Sequence, residues 1–420
     1  MGSLATTTTR IEELSTLIAS KTQVLNEYFQ FHGFPTPSFD VDGPLRVVIP
    51  PQLTAIAKAH LIPVTLQTQV LALIYFGRSQ PYDIVSLQAI YRYKIATSFP
   101  VGGEASYEDI AKTCGVDVVH LRRLMRHAMT NHIFSEPRKG FVAHTAASRA
   151  LAQDKGLSEY VGMHCEEAFP ASARVLDALD KFGTPQDPSQ TGFSLANNTD
   201  VGFYDELQKY PERAKRFRDG ASAVTSRIPM EPFLVGYDWA SLGNATVVDV
   251  GGSYGSVSIG LAKRFPNLSL IVQDFPATVE EGAKQLPESL KDRVKFSPYS
   301  ILEEQPIKDA DLYLFRAVFH NWPDAYVVKI LKNQVPALKK GARILISDHY
   351  APEPGVMPPM VDRQLRNRDL DMLANFGARE LGNEEWPVIM KQADPGLRIV
   401  STKMSPPGST NGIMEVIWEG

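Results

Sequence analysis

Asp249, Gly251, Gly252, Ser253 and Gly255 fall within seven residues of one another in VVDVGGSYGSVSIGLAKRFP, which begins at Val247. The stretch runs from an apolar segment into a helix-like one. Glycine-rich turns from strand to helix let the backbone approach a ligand closely, and nucleotides, dinucleotides and adenosyl cofactors all use them. The order here is G-G-S-Y-G rather than G-x-G-x-x-G, and no G-K-[ST] follows, so phosphate ligands lose support. Asp249, on the strand just ahead of the turn, would repel a pyrophosphate and attract a cation. S-Adenosylmethionine carries an ammonium and a sulfonium and no phosphate. Asp274, closing LIVQD, is placed to accept hydrogen bonds from ribose hydroxyls. Each aspartate alone reads equally well as a strand-end cap for the next helix; their joint placement on one sheet favours the cofactor.

One reaction such a cofactor supports is in-line displacement at its sulfonium methyl by a hydroxyl oxygen, which is a poor nucleophile while it keeps its proton. A base within hydrogen-bond reach is needed, and imidazole has a suitable pKa. Among nine histidines, His320 in RAVFHNWPD lies just past the carboxyl end of a strand, where a base facing the cofactor belongs. His164, in YVGMHCEEAF, is placed to line an acceptor pocket. Phe319, Met372 and Phe376 would suit a planar aromatic acceptor, although the helical spacing of the last two is also what core packing produces. His144 is assigned to packing in the N-terminal part. His349 is left out, because a continuing strand would turn it to the face opposite Asp348.

These residues need a scaffold. Apolar runs at 246–250, 269–273, 311–318 and 343–347 alternate with helical stretches at 255–264, 277–285, 324–338 and 361–376. Such alternation predicts an α/β domain with a parallel sheet covered on both faces, and ligands bind at the carboxyl ends of its strands. The tail LRIVSTKMSPPGSTNGIMEVIWEG reads as an antiparallel hairpin closing the sheet. Upstream, Ile11, Leu14, Leu17, Ile18, Val24, Leu25 and Tyr28 mark one face of a helix. A Pro/Gly-rich loop follows over 33–52, then a second apolar helix carrying Leu66, Val70, Leu71 and Ile74. In SYEDIAKTCGVDVVHLRRLMRHAMTNHIFSEPRKGFVAHT, Ser106 caps one helix, CGVD turns, Leu121, Leu124, Met125 and Ala128 line a second, and a short hairpin ends the pattern. This is the order of a winged helix.

A chain of 420 residues is long enough for two domains. A net charge of −4 argues against a nucleic-acid or anionic-membrane footprint, so Arg122, Arg123 and Arg126 on the second helix are read as ion-pairing rather than as DNA-reading residues. Cys114 and Cys165 cannot build a disulfide framework, no metal-ligand spacing is present, and no secretory signal is read in MGSLATTTTRIEEL. No apolar run reaches about 18 residues, the minimum for a membrane span. A reducing, cytoplasmic setting without metal, membrane or nucleic acid is expected.

The glycine-turn segment, DADLYLFRAVFHNWPDAYVVKILKNQVPALKKGARILISDHY and DLDMLANFGARE resemble the S-adenosylmethionine-dependent O-methyltransferases of fungal secondary metabolism, relatives of the plant caffeic-acid and flavonoid enzymes. The winged-helix segment with AHTAAS is similar to that family's dimerisation domain, so the resemblance covers nearly the whole chain. It implies an all-helical, winged-helix dimerisation domain over 1–182, a linker with interdomain helices over 183–240, and a Rossmann-like catalytic domain over 241–420 with a mostly parallel seven-stranded sheet. It implies a homodimer acting on a small aromatic metabolite, with His320 as general base and Asp348 and Glu380 as its flanking acids. Asp348 stands where plant relatives often carry Glu. Ser300 replaces the aspartate that commonly contacts the adenine amine, Ile301 would pack on the ring, and Arg316 matches a position of the cofactor pocket. Some fungal members bind S-adenosylmethionine yet catalyse dehydration or pericyclic ring closure, which is the alternative reaction.

Overall fold

The computed structural model describes residues 10–33, 69–225, 227, 230–349, 353, 356–404 and 411–420. Except for Gly33, the loop expected over 33–52 lies outside them, as does Leu66. The described residues fall into two compact units, one up to Cys165 together with Pro354–Gln364, the other formed by Glu166–Glu353 and Leu365–Gly420. No described helix is long and apolar enough to cross a membrane.

In the first unit, helices span Arg10–His32 and Gln69–Arg92, the latter with Pro81 inside it. A compact helical pair follows. The Ser106 hydroxyl accepts the Asp109 N–H at the start of Tyr107–Cys114, and Gly115, at φ 67°, ends that helix. The Asp117 carboxylate then caps Val118–Thr130 by accepting the N–H groups of Val119 and His120. Leu121, Met125 and Ala128 turn inward against Tyr107 and Ile110, as the helical spacing predicts, while Leu124 stays half-buried. The expected hairpin is present as β2 (Ser135–Arg138) and β3 (Phe141–Ala143). A further short strand, β1 (Glu104–Ser106), pairs with β3, so this unit carries a three-stranded antiparallel sheet in the order β1-β3-β2 and is not all-helical. Arg122 pairs with Glu108 and Arg126 with Glu136, so these two cations are matched within the unit.

The second unit is built on a seven-stranded sheet in the order β6-β5-β4-β7-β8-β10-β9. Strands β4 (Ala245–Val250), β5 (Leu268–Asp274), β6 (Val294–Pro298), β7 (Leu312–Arg316) and β8 (Arg343–Ser347) pair in parallel. The antiparallel hairpin of β9 (Leu397–Met404) and β10 (Gly412–Trp418) closes the sheet against β8, as the tail predicts. Strand β6 escapes an apolar-run reading because it is an edge strand with exposed Lys295 and Pro298. The two-residue period of a strand sorts the core onto two faces. Val248, Val250, Tyr313, Phe315, Ile344 and Ile346 pack on one side, and Val247, Leu270, Val272, Leu312, Leu314 and Leu345 on the other. Each such buried side chain contributes about 1.5–3 kcal/mol against its exposed state.

A polar seam crosses this apolar interior. Gln273, Gln305 and Gln334 are fully buried. Gln273 and Gln305 exchange two amide hydrogen bonds of 2.8 Å each, Gln305 Nε2 also donates to Gln334 Oε1 at 3.1 Å, and the Ile307 N–H donates to Gln305 Oε1 at 3.0 Å. The seam ties the carboxyl end of β5 to the loop after β6. Gln305→Leu would leave four partner groups unmatched, Gln273 Nε2 and Oε1, Gln334 Oε1 and the Ile307 N–H, at about 1–3 kcal/mol for each buried group left unsatisfied. The expected outcome is a clearly lowered urea midpoint, read by tryptophan fluorescence.

Candidate cofactor and acceptor site

The glycine turn sits at the carboxyl end of β4. Gly251 and Gly255 adopt φ of 73° and 76°, and Ser253 adopts 51°, so the turn runs through left-handed backbone. Gly251 and Gly252 donate their N–H groups to the Gln273 carbonyl at 2.8 and 3.0 Å. A Cβ on Gly252 would lie 2.8 Å from Asp249 Oδ2 and from Val272 Cγ1, and one on Gly255 would lie 2.8 Å from the Phe296 ring. These two glycines are required by their own neighbours as well as by any ligand.

Two carboxylates close the strand ends. Asp249 is buried and accepts the Ser258 hydroxyl at 2.7 Å; burial pushes its pKa up to about 6 against the pull of Ser258 and Arg316. Asp274 accepts the Ser253 N–H on Oδ2 at 2.9 Å and the Phe275 N–H on Oδ1 at 2.8 Å. Burial raises it as well, and Arg218 acts in the opposite direction. Both Arg316 and Arg218 have a buried Nε with no hydrogen-bond partner among the described residues. Burial holds the Arg316 guanidinium below its usual range despite Asp249 and Asp348 nearby. Ser300 and Ile301 follow β6 beside Asp274, whose carbonyl accepts the Tyr299 N–H at 3.0 Å, and the Ser300 carbonyl accepts the Glu303 N–H at 3.0 Å. A turn with no room for side chains at Gly252 and Gly255, a buried and a half-buried acid at adjacent strand ends and two incompletely paired guanidiniums fit a zwitterionic, cationic nucleoside such as S-adenosylmethionine.

The candidate base lies at the end of the neighbouring strand β7. Ala317 takes φ of 55°, and Phe319–Asn321 forms one tight helical turn. The Val318 and Phe319 N–H groups donate to Asp348 Oδ1 and Oδ2, each at 3.1 Å. Asp348 therefore holds the backbone ahead of His320 and makes no hydrogen bond to the imidazole. Glu380 does: its Oε1 lies 3.1 Å from His320 Nδ1, with both side chains buried. The Glu380 N–H donates to Asp369 Oδ1 at 2.8 Å, and Glu380 Oε2 is buried without a partner among the described residues. Burial pulls the His320 pKa down, but the hydrogen bond to Glu380 and the charges of Asp348 and Glu380 outweigh it, so the net shift is upward. Arg379, the neighbour of Glu380, pairs with Asp324 and Glu385 and leaves Glu380 to the histidine.

The remaining expected residues have these surroundings. The Phe319 ring points into the core, stacked on Phe315 at 4.7 Å and edge-on to Trp386 at 5.6 Å. Met372 and Phe376 are buried in a cluster with Phe193, Phe203 and Leu207. His164 belongs to the first unit, where its Nδ1 lies 3.0 Å from the Tyr160 carbonyl. Tyr204 was not legible as a site residue. Its ring lies 5.8 Å from Trp322, 5.5 Å from Phe376 and 6.3 Å from Phe275, and burial with the Asp274 charge raises its pKa. Arg218 was equally hidden. Both sit in short polar-looking helices with no motif, and only the fold brings them to the strand ends.

Residues 187–394 match the O-methyltransferase domain family, and residues 82–154 match the O-methyltransferase dimerisation domain. The chain is 38% identical over 415 residues to a grayanic acid biosynthesis cluster O-methyltransferase of Cladonia grayi, covering 97% of this chain and 88% of that one. It is 38% identical over 427 residues to the O-methyltransferase pyvH of Aspergillus violaceofuscus, covering 98% and 99%. Among solved structures, OxaC in complex with SAH and oxaline shares the fold, with a TM-score of 0.78 at 22% identity over 97% of this chain and 98% of that one.

Gly252→Ala forces a methyl group against Asp249 and Val272 and displaces the turn. Since displacements near 1 Å can cost about 100-fold in a positioned site, we expect the affinity for S-adenosylhomocysteine, measured calorimetrically, to fall by about tenfold or more while far-ultraviolet circular dichroism is unchanged.

Proposed function

The chain belongs to the S-adenosylmethionine-dependent O-methyltransferase family, and on that premise we propose that His320 deprotonates a hydroxyl of a small aromatic natural product. The observation that carries this reading is the buried His320–Glu380 pair at the carboxyl end of β7, next to the strand that ends in the glycine turn. The rings of Tyr204, Trp322 and Phe376 favour a planar acceptor. The match to a dimerisation domain supports a homodimer.

When bound, S-adenosylmethionine supplies an electrophilic methyl on a positively charged sulfur. Asp249 and the turn Gly251–Gly255 would hold its cationic amino-acid end, Asp274 its ribose, Ser300 and Ile301 its base, and the guanidiniums of Arg218 and Arg316 would meet its carboxylate. Glu380 accepts a hydrogen bond from Nδ1–H of His320 and so leaves Nε2 as the nitrogen that takes the acceptor proton. As the imidazole becomes charged, Glu380 and Asp348 stabilise it. Asp348 acts mainly through the backbone it grips, fixing where the ring stands.

His320→Ala should lower kcat by about 10²–10⁴-fold with S-adenosylhomocysteine affinity unchanged, the range usual for loss of a general base. Wild-type turnover in that variant would overturn the assignment. The base form of His320 is the working form, and its folded pKa lies above 6.5, so the rate should rise with pH through a pKa above that value. Glu380→Gln removes the carboxylate hydrogen bond and one charge. Burial then dominates, so the acid limb of the pH–rate profile should move to lower pH while the plateau falls. Formation of S-adenosylhomocysteine during turnover separates methyl transfer from a cyclisation that leaves the methyl in place.

A further inference from the structure

We propose that Arg368 and His349 form an anion-recognising corner of the acceptor site, so that the preferred acceptor carries an acidic oxygen, a carboxylate or an equally acidic enol, beside the hydroxyl that is methylated. This inference rests on the reading that the acceptor lies at His320.

The His349 ring lies 5.7 Å from that of His320, centroid to centroid. Its Nε2 is in hydrogen-bond contact with the guanidinium of Arg368, on the helix Pro359–Phe376. A guanidinium only donates, so Nε2 must accept, and His349 is the neutral tautomer with its proton on Nδ1. Burial, with the positive charges of Arg368, His320 and Arg316, holds its pKa down at about 2. His349 therefore orients Arg368 without neutralising it.

Some half-buried arginines of this unit have acids, as Arg213 and Arg216 share Glu167 and Arg343 has Glu415, whereas Arg368, like Arg218 and Arg316 at the cofactor side, has none in ion-pair contact among the described residues. Among the described residues no carboxylate forms an ion pair with Arg368, although Asp348 and Glu380 lie close enough to His320 to raise its pKa. Arg368 acts on His320 in the opposite direction, opposing the protonation that the base must undergo. A fixed cation beside a general base is a handicap for a neutral acceptor. For an acidic one it becomes an anchor, since a planar guanidinium takes a carboxylate through two parallel hydrogen bonds.

The carboxylate of the bound cofactor has the same chemistry, and the test separates the two. Calorimetry on the S-adenosylhomocysteine complex would compare 2,4-dihydroxybenzoate with resorcinol, which lacks only the carboxylate. The wild type should bind the acid at least about tenfold more tightly, the scale of a charge-assisted hydrogen bond. Arg368→Gln should abolish that preference while leaving the affinities for resorcinol and S-adenosylhomocysteine within about twofold, and Arg368→Lys should restore part of it. The proposal is overturned if the wild type shows no preference, if Arg368→Gln weakens both phenols alike, or if the affinity for S-adenosylhomocysteine falls instead. No turnover is involved, so failure here leaves the role of His320 untouched. Loss of the base reading through an active His320→Ala variant would in turn leave the binding preference measurable.

Discussion

The carboxylate of Asp348 accepts two backbone N–H groups, those of Val318 and Phe319, and the placement of His320 depends on that grip. Chain leaving β7 would otherwise run on along the sheet. Instead Ala317 is held in left-handed backbone, a conformation that costs a non-glycine residue about 1–3 kcal/mol and persists only where the surroundings over-determine it. The Ala317 N–H donates to the Ser347 carbonyl at 3.0 Å, so the end of β8 supplies both anchors of the turn. With the backbone fixed in this way, Phe319 falls into the core between Phe315 and Trp386, and the next residue, His320, is turned toward Glu380.

Burial sets the electrostatics of the whole site. Asp249, Asp274 and Asp348 are all raised by desolvation, each with backbone or hydroxyl donors that keep the charged form accessible. Arg316 stands within the field of both Asp249 and Asp348, so the strand end that carries Asp249 and the one that holds the histidine turn share a cation. A buried carboxylate beside a buried guanidinium adds little to stability when both must be desolvated. Its value lies in orientation, because fixed charges in a dry site act on a developing charge without first having to reorganise.

The scaffold was legible because a parallel sheet leaves continuous apolar runs, and the runs around β4, β5, β7 and β8 fall where strands form. The glycine turn was legible from its spacing, and packing adds a second constraint that spacing does not carry. Spacing indicated room for a ligand, whereas Gly252 and Gly255 are also demanded by Asp249, Val272 and Phe296 behind them. His349 shows where periodicity misleads. Alternation would turn it away from Asp348, but β8 ends at Ser347, and beyond that point the two-residue rule has no hold. Tyr204 and Arg218 carry no local signal, since their proximity to Asp274 is created by the fold across some 70 and 56 residues of chain.

Three charged groups face His320, the carboxylates of Asp348 and Glu380 and the guanidinium of Arg368. With the imidazole neutral this set carries one excess negative charge, and with the imidazole protonated it is balanced. Burial alone would make His320 a weak base; the hydrogen bond to Glu380, with the charges of Asp348 and Glu380, raises its basicity instead. An anion seated on Arg368 would cancel the one opposing charge and leave both carboxylates acting unopposed on the ring. Recognition of the acceptor and activation of the base would then be one electrostatic event: an acceptor that fills the corner makes His320 more basic as it brings the hydroxyl within reach.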